Sequence, residues 1–158
     1  VGEGPFVCEL FDTDGPGTYL RNTGHEFGTV TGRPRRCGWL DAFMVKYAAR
    51  LNSMDALAIT RLDILDGLDE IKMCTGWTID GEPIQHIPAD LSILAKAQPV
   101  YETFKGWKKD ISGVRSYGDL PKEAQAYLAR LSEVVGVEIG IVSVGPNRDQ
   151  TFCLKEFF

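Results

Sequence analysis

Histidine is scarce in this chain, positive charge is outnumbered, and no long apolar run occurs. Each absence excludes something. With only His25 and His86 present, a histidine-rich metal site is not expected. The four cysteines, Cys8, Cys37, Cys74 and Cys153, form no Cys-x-x-Cys pair and match no zinc-binding spacing. They are expected to be free thiols of a reducing compartment, buried or partly exposed. Lys and Arg number 17 against 22 Asp and Glu, for a net charge of −5 and a pI near 5.0. That balance argues against nucleic acid or an anionic membrane as partner, so an anionic ligand needs a local basic cluster. No apolar run reaches the ~18 residues of a membrane span, and no signal peptide is visible. No G-x-x-x-x-G-K-[ST] phosphate loop occurs, and no Ser-His-Asp or Cys-His arrangement supplies a general base. Internal repeats and low-complexity segments are missing as well.

What is present suits an ordinary globular chain of 158 residues, 44% hydrophobic and 25% charged. That length matches one domain with a real core. Residues 1–38, rich in Gly and Thr, predict short strands joined by long loops. From Trp39 to about Asn52 the apolar residues Leu40, Phe43, Met44, Tyr47 and Leu51 recur at helical steps, predicting a helix packed on the core. Residues 56–60 predict a buried strand with a polar turn, Arg61-Leu62-Asp63, at its end. Residues 70–79 predict another strand, turned by Asp80-Gly81. Residues 100–104 suggest one more. Pro121 opens a second helix with Tyr127, Leu128, Leu131, Val134 and Val135 on one face and Gly136 as its terminal cap. Residues 137–144 then predict a strand ending at Gly145-Pro146. This alternation favours an α/β fold, a mixed sheet covered by helices, with ligands beyond the C-terminal strand ends.

Three loops carry chemistry. Gly28-Thr29-Val30-Thr31-Gly32-Arg33-Pro34-Arg35-Arg36 combines glycines that admit close approach, hydroxyls, and forked guanidinium donors suited to carboxylate or phosphate. Its plainer reading is a solvated basic loop. Thr60-Arg61-Leu62-Asp63 follows a predicted strand. A fixed carboxylate there can accept from both N1–H and the 2-amino group of guanine, a donor pair adenine lacks. The neighbouring cation can stack on the base. The plainer reading is an Asp that ends a strand. Ser143-Val144-Gly145-Pro146-Asn147-Arg148, also after a strand, offers backbone groups to the same edge or is a simple tight turn.

Together these stretches resemble the adenylosuccinate synthetase family. The resemblance rests on Gly24-His25-Glu26-Phe27-Gly28 running into Thr31-Gly32-Arg33-Pro34-Arg35-Arg36-Cys37-Gly38-Trp39-Leu40-Asp41, on Thr60 to Lys72, and on Ile141-Val142-Ser143-Val144-Gly145-Pro146 with Arg148. Tyr101-Glu102-Thr103, Gly106-Trp107 and Asp119-Leu120-Pro121 also fit. It covers essentially the whole chain in order. It implies that residues 1–158 are the C-terminal portion of a larger P-loop-related domain, and that the phosphate-loop portion lies upstream. The opening on Val1 rather than Met agrees with that expectation.

The implied reaction is GTP-dependent ligation of L-aspartate to IMP, with magnesium bound by upstream residues. Thr29, Val30, Thr31, Gly32, Arg33 and Arg35 are implied to hold aspartate, and Arg33, Val1 and Gly2 to border IMP. Arg35, Arg61, Asp63, Ser143, Gly145 and Pro146 are implied to hold GTP. No catalytic residue and no metal ligand is expected here, so the isolated chain is expected to be inactive. Two positions depart from the family pattern: Arg61 replaces a frequent Lys, and Val30 a common Thr. The resemblance also implies a cytoplasmic homodimer. A non-catalytic guanine-nucleotide binding module, using Asp63 alike but not needing Arg33 and Arg35, is the alternative. A truncated pseudo-enzyme with vestigial loops is a third reading.

Overall fold

A computed structural model describes residues 4–156, so the expectations placed on Val1 and Gly2 lie outside the described residues. In chain order the elements are α1 (Pro16–Thr23), β1 (Leu40–Asp41), α2 (Ala42–Asn52), β2 (Leu57–Ile59), β3 (Glu70–Ile79), β4 (Glu82–Ile84), α3 (Leu91–Leu94), β5 (Gln98–Lys105), α4 (Lys122–Val135), β6 (Ile139–Ser143) and β7 (Thr151–Cys153). The α/β class expected from the alternation holds, with the strands shared between two sheets. In one, β1 pairs with β3 in parallel, β4 pairs with β3 antiparallel, and β5 pairs with β3. In the other, the order is β2-β6-β7, with β2 and β6 parallel and β6 and β7 antiparallel. Two compact units make up the chain: residues up to Met44 with Lys72–Glu102, and Val45–Ile71 with residues from Thr103 onward.

In the first unit, α1 stands where only strands and loops were expected. Its first turn is capped from outside the helix. The Asp12 carboxylate accepts from the backbone N–H groups of Gly15, Gly17 and Thr18 at 3.0, 2.8 and 3.0 Å. Against the opposing effect of burial, these bonds hold Asp12 below the usual carboxylate range. The β3–β4 turn is the Asp80-Gly81 hairpin expected: both residues have positive φ, 52° and 88°, and Ile79 pairs with Glu82. Cys8, Cys74, Trp77 and Ala97 form a buried cluster with Phe6, Phe43, Ile79 and Tyr101 packed against it.

The first expected helix begins later than its periodicity suggested. Leu40 and Asp41 are taken into β1 by pairing with Met73 and Cys74, and α2 starts at Ala42. The Asp41 carboxylate then caps it, accepting from the Met44 N–H at 3.0 Å. The stripe read as core is only partly so, because Met44 and Leu51 are exposed.

In the second unit, α4 buries Ala124, Tyr127, Leu128, Leu131 and Val135, one stripe at helical spacing. Each large aliphatic side chain so buried contributes about 1.5–3 kcal/mol. Gly136 ends the helix in the left-handed conformation, φ 78°, its N–H bonded to the Ser132 carbonyl. Tyr127 meets the Phe104 ring edge-on at 5.2 Å.

Candidate functional site

The parallel pairing of β2 with β6 fixes what the second unit presents. Ile59 pairs with Val142, so both strands end at the same sheet edge. The Thr60–Asp63 turn and the Ser143–Pro146 turn therefore leave that edge side by side, and the 3₁₀ turn Leu62–Leu65 packs against β6. Arg61 enters this turn in the left-handed conformation, φ 60°. Leu62 is buried and pins the turn from beneath. Asp63 follows, and its Oδ1 is shielded from solvent without a hydrogen-bond partner among the described residues. A shielded acceptor left unmatched costs about 1–3 kcal/mol, so such groups call for a donor.

The second turn is held rigidly. Ser143 is buried and donates its hydroxyl to the Gly145 carbonyl at 3.0 Å. Gln150, which the sequence reading did not single out, organises the rest. Its carbonyl accepts from the Val144 N–H, its Oε1 from the Asn147 N–H at 3.0 Å, and its Nε2 donates to the Ser112 carbonyl at 3.1 Å. The Gln150 amide fills the space a side chain at Gly145 would need, so any larger residue there would have to displace it. Gly145 is buried and Pro146 exposed.

Asp66 is a second residue the pattern did not mark. Its carboxylate accepts from Trp107 Nε1 at 2.6 Å and from the Ile111 N–H at 3.0 Å. Burial pushes its pKa up, and these two bonds oppose the shift. It ties the 107–111 loop to the turn bearing Asp63. The Asp66-Gly67 turn pair was the one local signal for it.

The first unit holds the arginine loop. Phe27 and Pro34 form an isolated antiparallel bridge, and Gly28 N–H bonds the Arg33 carbonyl at 2.8 Å, so Gly28 to Arg33 make a closed loop. Within it Gly32 N–H bonds the Gly28 carbonyl, and the Arg33 N–H bonds Thr31 Oγ1 at 3.3 Å. Thr29, Val30, Thr31, Gly32, Arg33 and Arg35 are all exposed, Val30 at 96%. The three arginines part company. Arg36 binds Glu9 through Nε at 2.8 Å and lies over the Phe6 ring, a structural role. Arg35 pairs with Glu26 at 3.0 Å. The Arg33 guanidinium makes no hydrogen bond or ion pair with the described residues and projects from the loop.

The structure thus brings Arg61, Asp63, Ser143, Gly145 and Pro146 to one sheet edge, and gathers Thr29 to Arg35 in one loop. Magnesium is implied by the resemblance, and the described residues do not fit it. The one group of three converging His, Cys, Asp or Glu donors among them is Cys8, Asp41 and Cys74, whereas magnesium takes oxygen ligands. No described helix is long and apolar enough to cross a membrane.

The two turns leave the C-terminal ends of adjacent parallel strands, the place where α/β proteins gather ligands, and the fold is of the α/β class. Comparison with known proteins narrows this class. The sequence model of the adenylosuccinate synthetase family matches residues 1–152, and the chain belongs to that family. The adenylosuccinate synthetase of Brachyspira hyodysenteriae is 54% identical over all 158 residues, and that of Geobacter metallireducens 51%. The chain spans 36% of the length of each. A solved structure, a fully ligated adenylosuccinate synthetase from Plasmodium falciparum, superposes with a TM-score of 0.91 at 42% identity. That match covers 98% of this chain and 37% of the other.

Proposed function

We propose that the full-length protein carrying this chain is a ligase that joins L-aspartate to IMP at the expense of GTP. In this reading GTP phosphorylates the 6-oxygen of IMP to give 6-phosphoryl-IMP. The aspartate amine then attacks the carbon that bears that oxygen, C6; the C–N bond forms, the C–O bond breaks, and adenylosuccinate, GDP and phosphate leave. Turning a poor leaving oxygen into a good one is the logic of the first step.

The observation that carries the reading is the adjacency of the Asp63 turn and the Ser143–Pro146 turn at the ends of the parallel strands β2 and β6. A guanine edge supplies the donors that the Asp63 carboxylate calls for, N1–H and the 2-amino group. Arg61 is the stacking cation, and Ser143, Gly145 and Pro146 complete the pocket. Thr29, Val30, Thr31, Gly32, Arg33 and Arg35 hold L-aspartate, with Arg33 also bordering the IMP ribose. Support for that role is the exposed loop with a guanidinium fork that no described residue occupies. Arg35 is also assigned to GTP in this reading. Magnesium chemistry, homodimer formation and a cytoplasmic setting go with the same proposal, the metal being held by residues outside this chain.

The test is a ligation assay on the full-length protein with IMP, GTP and labelled L-aspartate. Adenylosuccinate formation strictly dependent on GTP is expected, with none from the 158-residue chain alone. A full-length protein that binds GTP but neither binds aspartate nor forms product would replace this reading with the non-catalytic binding module.

A further inference from the structure

The chemistry proposed above leaves one buried cluster unused. Cys8, Asp41 and Cys74 come from three distant segments, and their donor atoms all lie within 4.8 Å of one another. Both cysteine side chains are fully buried. Cys8 Sγ lies 3.3 Å from Asp41 Oδ2. Around a tetrahedral zinc ion, ligand distances of ~2.3 Å for sulfur and ~2.0–2.2 Å for oxygen set a sulfur-to-oxygen edge near ~3.5 Å. The Cys8–Asp41 edge is already close to that length.

The surroundings supply what a metal site needs beyond its ligands. Trp77 Nε1 donates to Asp41 Oδ2 at 2.9 Å, and the Met44 N–H donates to Oδ1 at 3.0 Å. Both carboxylate oxygens are thereby oriented, as outer partners of a metal ligand do. Tyr101 packs against the same cluster. Phe6, Phe43 and Ile79 close the cluster off from water. Two sulfurs with one oxygen favour a soft or borderline divalent cation over magnesium or calcium.

We infer that Cys8, Asp41 and Cys74 form a binding site for a thiophilic divalent cation of the zinc type, separate from the nucleotide chemistry. The ion would pin the Cys8 segment, β1 and β3 to one another. The Glu9–Gly38 bridge, one residue beyond Cys8, would carry that restraint to the segment that closes the arginine loop.

The test uses the reduced full-length protein and cobalt(II) as a spectroscopic probe. A thiolate-to-cobalt charge-transfer band saturating at one ion per chain and displaced by zinc is expected. Cys8→Ser and Cys74→Ser each weaken cobalt binding at least ~100-fold, while Cys37→Ser and Cys153→Ser leave it unchanged. Cadmium NMR on the unsubstituted protein covers the case in which a variant fails to fold. It should give a shift in the range of mixed sulfur and oxygen ligation. Absence of the band, an oxygen-only cadmium shift, or a band that survives Cys8→Ser and Cys74→Ser together would overturn the inference.

Discussion

Replacing Asp63 by Asn isolates the base-reading carboxylate without disturbing its frame. The turn is held by backbone bonds, Ile64 N–H to the Arg61 carbonyl and Asp66 N–H to the Asp63 carbonyl, and by burial of Leu62. None of these involves the Asp63 side chain. Its shielded Oδ1 has no partner to lose among the described residues, so the melting temperature of Asp63→Asn should stay at or above that of the parent.

Nucleotide affinity should behave otherwise. A carboxylate gives guanine two charge-assisted hydrogen bonds of about 1.5–3 kcal/mol each. The amide keeps one neutral acceptor and sets an N–H group against a guanine donor. The expected loss is about 3–4 kcal/mol, or roughly 10²–10³-fold in GTP affinity. Xanthine carries a carbonyl where guanine has the 2-amino group, so the amide of Asp63→Asn would match it and the parent carboxylate would not. Calorimetric titration of both proteins with GTP and XTP measures the exchange. A folded Asp63→Asn protein that binds GTP as the parent does would refute the reasoning.

Arg33→Ala should raise the KM for L-aspartate by roughly 10- to 150-fold, the ~1.5–3 kcal/mol of a charge-assisted hydrogen bond, while GTP affinity holds. Steady-state kinetics with each substrate varied in turn checks it. Gly145→Ala should destabilise the protein by about 1–3 kcal/mol, because the new methyl displaces a Gln150 amide bonded at both ends. It should weaken GTP binding in parallel. Chemical denaturation gives the first effect and nucleotide titration the second.

Local pattern carried part of this fold and failed where distant pairing decided the outcome. Residues 70–79 and 122–135 were legible because strand composition, an Asp-Gly turn, a proline start and a glycine stop all agree. Helix α1 was hidden because its capping carboxylate, Asp12, lies outside the usual cap position and the first 38 residues lack periodicity. Leu40 fits the helical stripe of α2 but is claimed by Met73 across a sheet, a tertiary preference no window reveals. Asp63 was legible as a polar residue after a strand, as were the turns after β2 and β6. Their adjacency was not, since it rests on pairing residues about eighty positions apart, Ile59 with Val142. Gln150 and Asp66 escaped because their partners, Ser112, Trp107 and Ile111, are chosen by the fold. The convergence of Cys8, Asp41 and Cys74 escaped for the same reason, having no spacing to betray it.

The most direct measurement is a crystal structure of the full-length protein with GDP bound. The account places the guanine N1–H and 2-amino group within hydrogen-bond distance of the Asp63 carboxylate, with the base against the Arg61 side chain and the Ser143–Pro146 turn. A base bound elsewhere, with Asp63 still unmatched, would contradict it.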